Sequence, residues 1–475
     1  MIPFPVRHRA RRSLVTICML AASLTSPAAE RPPNFVIILS DDQDWNGLSV
    51  QMHPDLPNSK SDFYRTPNLE KFAAEAMRFS AGYAPAPVCS PTRISLLTGR
   101  SPAALHWTKA APPEAGRKLI EAENRKSVRT DETTLPEILK RAGYATAHYG
   151  KWHLSGGGPE RHGYDESDGD TGNRDADRFT DPNPVDIFGM TERAAAFMEK
   201  QSKAGKPFFL QMSYHALHVP GNALKATRAI YDRLPPGKMH RDPARAAITT
   251  DLDTGVGKFL GHLARLGLSE RTYVVYMGDN GGGGGGRGDV RPLRAGKGGV
   301  WEGGIRVPFI VRGPGIKANS WCHQPVVGYD LFPTFCRLAG VRETLPAELE
   351  GGDLSHLFTG ASAPVDRPRT DLVFHFPHYQ GDTPHSAIRR GDYKLLEFHE
   401  TGERMLFDLK NDLAERHDLA KSKPDIAADL SNRLRTYLTA VGAAMPRPNP
   451  DYQAGNEPVR RKGNRNGKQK GVADE

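Results

Sequence analysis

Residues Asn34–Ser40 (Asn-Phe-Val-Ile-Ile-Leu-Ser) form an apolar run with no polar alternation. Such a run reads as a strand buried on both faces. Thr66-Pro67 then opens a helix, with Thr66 as N-cap, Pro67 in the first turn and Leu69, Phe72, Ala73 and Ala76 as its apolar stripe. Residues 134–136 and Gly143 bracket a second helix, and 144–149 read as the next strand. Helical periodicity covers 190–204 and 241–266, while Phe208–Ser213 and 272–277 read as strands. A short apolar strand at 307–312 and a helix near 331–339 complete this part. Strands alternating with helices predict an α/β fold: a large mixed, mostly parallel sheet sandwiched by helices. Ligands of such sheets bind beyond the carboxyl ends of the strands.

The texture changes at about Pro364. Short strand candidates at Leu372–Phe376, 387–390, 393–397 and 405–408 precede a helix near 426–441. They predict a smaller C-terminal antiparallel sheet plus helix. A chain of 475 residues accommodates one large and one small unit. The expected organisation is a signal peptide over 1–28, a main domain over 29–363, a C-terminal subdomain over 364–445 and a basic disordered tail over 446–475. The run Gly281–Gly286 reads as a mobile loop.

Charge sharpens this division. The formal net charge is +9, but residues 1–29 hold four Arg and no acid, and the tail from Pro446 holds seven Lys or Arg against four acids. Subtracting both ends (9 − 4 − 3) leaves about +2 for the body. A nucleic-acid binder carries its positive charge on a folded face, so no nucleic-acid partner is expected. The tail, rich in Arg, Lys, Asn and Gly, reads as a solvated extension. Arg7, Arg9, Arg11 and Arg12 precede a short apolar stretch at 13–24, and Ser26-Pro27-Ala28 offers a cleavage site. The chain is therefore expected to be exported, periplasmic or secreted, without stable membrane insertion. Of its four cysteines, Cys18 leaves with the signal, and Cys322 and Cys336 read equally as a disulfide or as two buried thiols. Cys89 remains as an unpaired cysteine to be examined for reactivity.

Polar constellations fall just after the predicted strands. Asp41-Asp42 follows the first, and Asp279-Asn280 follows 272–277. Together they offer three carboxylates and an amide oxygen, hard donors suited to Ca²⁺ or Mg²⁺, although an acidic pair after a strand is also a common turn. Cys89-Ser90-Pro91-Thr92-Arg93 precedes the apolar Ile94, Leu96 and Leu97. Ser90 reads as an N-cap and Pro91 as the first helical residue, which sets Cys89 at a helix start where the dipole favours an anion. Arg93 falls one turn later on the same side; a buried thiol and a surface arginine fit the spacing as well. Lys151 and His153 follow the strand at 144–149, His215 and His218 follow Phe208–Ser213, and Lys297 lies in the glycine-rich stretch after Asp279. Each alone reads as a surface or satisfied residue; their shared placement at strand ends points to a site for an anionic ester.

Cys89-Ser90-Pro91-Thr92-Arg93 followed by Leu96-Leu97-Thr98-Gly99-Arg100 resembles the signature of type I, formylglycine-dependent sulfatases. Gly150-Lys151-Trp152-His153-Leu154 and Glu302-Gly303-Gly304-Ile305-Arg306-Val307-Pro308 resemble further blocks of that family, and the likeness runs from about Asn34 to near Val441. The resemblance implies hydrolysis of a sulfate ester with one Ca²⁺ held by Asp41, Asp42, Asp279 and Asn280, together with the side chain made from Cys89. It implies that a formylglycine-generating maturation enzyme oxidises Cys89. One hydroxyl of the hydrated aldehyde attacks sulfur, and collapse through the other releases sulfate. Arg93 and Lys151 would hold the formylglycine, His153 would assist the collapse, His218 would stand near the leaving group, and Lys297 would bind sulfate. His215 competes with His218, whose His-x-Pro context favours it. The hexaglycine run departs from the family pattern.

The expected substrate is a sulfated small molecule or glycan, with Trp107, Asn173, Arg174, His375 and His378 as candidate sugar contacts or ordinary structural residues. The loops at 110–126 and 165–186 are long enough to wall such a pocket. Two other functions compete: a two-zinc phosphoryl hydrolase of the same superfamily, and an inactive capture protein for sulfated glycans. Retention of every expected polar residue argues against the latter.

Overall fold

The computed structural model describes residues 1–4, 31–282 and 292–455. The segment 5–28 of the signal reading, residues 283–286 of the glycine run and 456–475 of the basic tail lie outside the described residues. Residues 1–31 and 32–475 cluster as two units, and every element below belongs to the second.

The main sheet is built from β1 (Asn34–Ser40), β2 (Met77–Phe79), β3 (Ala145–Gly150), β4 (Glu166–Ser167), β5 (Phe208–Ser213), β6 (Thr272–Gly278), β7 (Phe309–Arg312) and β8 (Ser320–Cys322). Their spatial order is β8-β2-β7-β6-β1-β5-β3-β4. Pairings are parallel except at β7, which runs antiparallel to both β6 and β2. The sheet is thus large, mixed and mostly parallel. β7 begins two residues later than the hydrophobic pattern suggests because Pro308 has no N–H to give to the ladder. β2 and β8 were not visible in the sequence; three residues leave no period to read.

Alternation along β1 divides the core. Phe35, Ile37 and Leu39 enter one apolar cluster, and Val36 and Ile38 enter the other. The helices that pack on the sheets include α1 (Pro67–Ala74), α2 (Cys89–Thr98), α3 (Leu135–Arg141), α4 (Ile187–Ala204), α5 (Pro243–Arg265), α6 (Leu331–Leu338) and α7 (Pro424–Ala440). α2, α3 and α6 cover the first face, and α1, α4 and α5 cover the second. Burial on both faces is why β1 carries no polar position between Asn34 and Ser40.

The C-terminal sheet is antiparallel, in the order β9 (Leu372–Phe376), β10 (His385–Arg390), β11 (Tyr393–Phe398), β12 (Arg404–Asp408). One face packs on α7 through Val373, Ile388, Leu395 and Leu406. The other packs on Tyr83, Val300, Trp301 and Val327 through Phe374, Ala387, Leu396 and Phe407. A buried ionic knot joins the same layers: Lys394 on β11 meets Glu302 at 2.9 Å and Glu415 at 2.8 Å, and Arg306 meets Glu302 at 2.6 Å. Cys322 and Cys336 are both buried free thiols, so the disulfide option is not realised.

Two expected caps are corrected. The Thr66 hydroxyl does not cap α1; it accepts from Ser49 N at 2.9 Å. The free N–H groups of Asn68 and Leu69 instead reach Asp253 on α5, at 3.1 and 2.8 Å. Ser90 lies inside α2, which starts at Cys89 with Val88 before it and no side-chain cap. Asp253→Ala leaves one buried and one half-buried N–H donor of α1 without an acceptor. It should lower stability by about 1–3 kcal/mol, measured by chemical denaturation, with Asp253→Asn losing less.

Candidate active site

The register of the main sheet sets its strand ends level. Leu39 pairs with Ser213, Ser40 with Gly278 and Gly150 with Ser213. The next residue on each strand therefore emerges at one edge: Asp41, Asp279, Lys151 and Tyr214. Backbone bonds lock this edge, with Asp279 N on Ser40 O at 2.9 Å, Asp41 N on Ala216 O at 2.9 Å and Lys151 N on Ser213 O at 2.8 Å. Gly150, at φ 89°, is required here because a Cβ would stand 2.1 Å from Ser213 O. Gly281 likewise lets its loop lie against Gly303, whose carbonyl a Cβ would approach to 1.9 Å.

α2 brings Cys89 and Arg93 to the same edge. Arg93, buried one turn along, donates to Asp279 Oδ2 at 2.8 Å and to the Lys151 carbonyl at 2.5 Å, and lies 3.7 Å from Asp41. Lys151 pairs with Asp41. Lys297 pairs with Asp42 at 2.6 Å and reaches Cys89 Sγ at 3.6 Å. Cys89 Sγ lies 3.5 Å from Asp41 Oδ1. Three carboxylates and three cations thus balance (3 − 3 = 0). The structure brings together every acid and cation singled out at these strand ends.

These contacts set the protonation states. Burial raises the Asp41 carboxyl, but Lys151, then Arg93 and Lys297, outweigh it and hold it well below the usual range. Burial, with Asp41 nearby, pushes Asp279 up to about 6. Burial and then Asp41 push the Cys89 thiol up to about 12, against the pull of Lys151. The helix start does not make this thiol an anion: a neighbouring carboxylate and desolvation exceed the dipole, which corrects that expectation. His153 is lowered to about 2 by burial, Lys151 and Arg93, and is a neutral imidazole with Nδ1 unpartnered.

The donor set suits a hard cation. Ligand atoms of Asp41, Asp42, Cys89 and Asp279 all lie within 4.8 Å of one another, and all four residues are buried. Asn280 Nδ2 donates to Asp42 Oδ1 at 2.8 Å, leaving its buried Oδ1 with no protein donor. Three converging carboxylates with one donor-free amide oxygen beside them fit a divalent ion with oxygen ligands.

The two histidines after β5 divide. His215 is buried with Nδ1 unpartnered, lowered to about 4 by burial and Lys151. His218 is partly exposed, with Nδ1 2.9 Å from the Val219 carbonyl oxygen, and lies within electrostatic reach of Asp41 and His153. Of the candidate sugar contacts, Trp107 is a core residue. His375 is spent on Ser386 and the Ala444 carbonyl at 2.6 and 2.9 Å, and His378 on Thr108 and Glu121 at 2.7 and 2.9 Å. These three are structural. Asn173 is half-buried and Arg174 is exposed beside Asp177 at 3.5 Å. Sequence reasoning missed Arg245 of α5, which donates to the carbonyls of Asp42 and Leu217 and fixes the turn after β1. An arginine in the first turn of a helix carries no signal of that role.

Comparison with known proteins agrees with this arrangement. The family model described as Sulfatase matches residues 33–341, and that described as N-sulphoglucosamine sulphohydrolase, C-terminal, matches 296–441. The chain is 32% identical to N-acetylgalactosamine-6-sulfatase of Canis lupus familiaris over 80% of its own length and 74% of the relative's. It is 30% identical to an ulvan-active sulfatase of Formosa agariphila over 86% and 82%. The solved structure of Ps i-CgsB in complex with k-i-k-neocarrahexaose superposes with a TM-score of 0.70 and 25% identity, covering 86% of this chain and 93% of that one. The chain belongs to the sulfatase family and is a sulfuric ester hydrolase.

Proposed function

We propose that this sulfatase releases sulfate from a carbohydrate ester, using a formylglycine made from Cys89 and one calcium ion held by Asp41, Asp42, Asp279 and Asn280. The observation that carries the reading is the buried convergence of Asp41, Asp42, Cys89 and Asp279 beside the unpartnered Asn280 Oδ1. Calcium bound there supplies charge that polarises the sulfate and favours a deprotonated nucleophile. The aldehyde hydrate supplies two hydroxyls on one carbon, one for attack on sulfur and one through which sulfate leaves.

The chain's own groups take the remaining roles. Arg93 and Lys151 neutralise Asp279 and Asp41 and would hold the side chain made from Cys89. Lys297, between Asp42 and Cys89 Sγ, offers its ammonium to a sulfate oxygen. Neutral His153 accepts a proton from the nucleophile's second hydroxyl, and His218, at the open side, gives one to the leaving oxygen. The carbohydrate assignment draws on relatives named for N-acetylgalactosamine-6-sulfate and ulvan. Cys89 is 2% exposed in the folded chain, so its maturation enzyme acts before folding is complete. The N-terminal arginines and apolar stretch fit export to the periplasm or beyond. Among the described residues no helix is long and apolar enough to cross a membrane. A two-zinc phosphoryl hydrolase is the weaker reading: among the described residues one His/Cys/Asp/Glu group is placed to hold a metal ion, and Arg93, Lys151 and Lys297 supply the remaining positive charge.

Mass spectrometry of the peptide spanning Cys89 from active enzyme should show the aldehyde, and Cys89→Ala should be folded and inactive. Full activity with an unmodified thiol would refute the nucleophile. Exhaustive chelation should abolish turnover, and added Ca²⁺ should restore it; metal-free enzyme with full activity would refute the ion. Lys297→Ala should lower kcat/KM on an aryl sulfate by about 10²–10³, while aryl phosphate stays a poor substrate for the parent enzyme.

A further inference from the structure

Beside the catalytic groups lies a cavity of about 460 Å³, walled by residues from 168 to 186 together with Arg193 and His215. That volume falls in the range of small-molecule sites. It shares a wall with the active site. The Thr171 carbonyl accepts from His153 N at 2.7 Å, and its hydroxyl accepts from Trp152 N at 2.9 Å and donates to Gly150 O at 2.6 Å. The segment that carries Lys151 and His153 is therefore bonded directly to the cavity lining. His215 forms another part of the wall. It is 7% exposed, and its Nδ1 has no hydrogen-bond partner in the protein. A buried ring nitrogen on a cavity wall calls for a partner from a ligand or solvent.

The charge of the lining is opposite to what a sulfatase pocket for polyanions needs. Four aspartates (Asp168, Asp170, Asp175, Asp186) face two arginines, a balance of 2 − 4 = −2. Arg193 is already committed, to Asp168 at 2.7 Å and Asp186 at 2.6 Å. Arg178 lies over the Phe179 ring at 5.0 Å. Among the described residues no cation pairs with Asp170 or Asp175; Asp175 accepts only Gly172 N, at 2.5 Å. Ionised carboxylates accept hydrogen bonds and cannot donate them. Asp170 and Asp175 are exposed, so water solvates them in the free enzyme; sugar hydroxyls can replace that water, whereas a second sulfate or carboxylate is repelled.

We propose that this cavity is the subsite for the sugar ring bearing the scissile sulfate, and that Asp170, Asp175 and His215 select a ring whose other substituents are neutral hydroxyls over one with a second anionic group. The inference rests on the carbohydrate reading above. The sulfate end of the substrate meets the cationic groups, and the hydroxyl face meets the aspartates. One small ring then spans two regions of opposite character, and that polarity orients it.

The test compares kcat/KM of the mature enzyme on hexose monosulfates and matching hexose disulfates, with 4-nitrophenyl sulfate in parallel. Monosulfates should be preferred by about tenfold or more, as expected for one like-charge contact in a partly solvated site. The double variant Asp170→Asn, Asp175→Asn should shrink that ratio at least fivefold, and Arg178→Ala should enlarge it. Working with the ratio cancels losses in folding or maturation. Disulfates cleaved as well as monosulfates, or a ratio unmoved by the double variant, would overturn the subsite while leaving the carbohydrate reading intact. Cleavage of the aryl sulfate with none of the sugar sulfates would overturn the carbohydrate reading, and the subsite with it.

Discussion

Two buried ion pairs, Arg93–Asp279 and Lys151–Asp41, with the partly buried Lys297–Asp42 beside them, are the constraint around which this chain is arranged. Burying such charges is unfavourable for folding, and apolar residues of similar size would stabilise as much or more. The rest of the molecule offsets that cost. A sheet with both faces covered supplies two apolar cores, and the level strand ends hold the charges where their partners can reach them. The arrangement is useful because its charges sum to zero before any ligand arrives. An added divalent cation leaves an excess of positive charge in a dry pocket, which is what an anionic ester requires.

The same constraint explains local features that would otherwise look costly. Gly150 holds a left-handed conformation so that Lys151 can turn in beneath Asp41. Asp42 and His153 also sit at positive φ, at 58° each, outside the preferred regions for side-chain-bearing residues. Such backbone persists where surrounding contacts dictate it: Arg245 clamps the carbonyl after β1, and Thr171 clamps the segment after β3. The C-terminal sheet is part of this support. Its Lys394 pairs with Glu302, at the start of the Glu302–Ile305 helix whose Gly303 faces Gly281 in the loop after Asn280.

Histidines show how burial sorts similar residues. His375 and His378 are enclosed with both ring nitrogens bonded to neighbours within the fold, so they are packing groups. His153 and His215 are enclosed but each keeps a ring nitrogen without a partner, facing the catalytic groups and the acidic cavity respectively. Residue type is the same throughout; the hydrogen-bond partner decides the role.

The sequence by itself determined the class of fold and most of the residues that gather at the candidate site. β1 and β5 are found at the bounds read from their apolar runs, and the four-stranded C-terminal sheet follows its short alternating segments. Asp41, Asp42, Cys89, Arg93, Lys151 and Asp279 were legible because each follows a strand or lies near the start of a helix, whereas Lys297 was read only from its glycine-rich stretch after Asp279. Periodicity and local blocks are properties of neighbours in the chain, so the sequence displays them. Tertiary structure alone decided the remainder. Asp253 caps a helix 184 residues away, Trp107, His375 and His378 turn inward, and Cys322 and Cys336 stay apart as thiols. The protonation of Cys89 also belongs here: helix position favours the thiolate, but desolvation and Asp41, from a strand 48 residues earlier, override it. Charge sign in the cavity beside the site likewise depends on which aspartates already have a partner, and that pairing is made between distant segments in space.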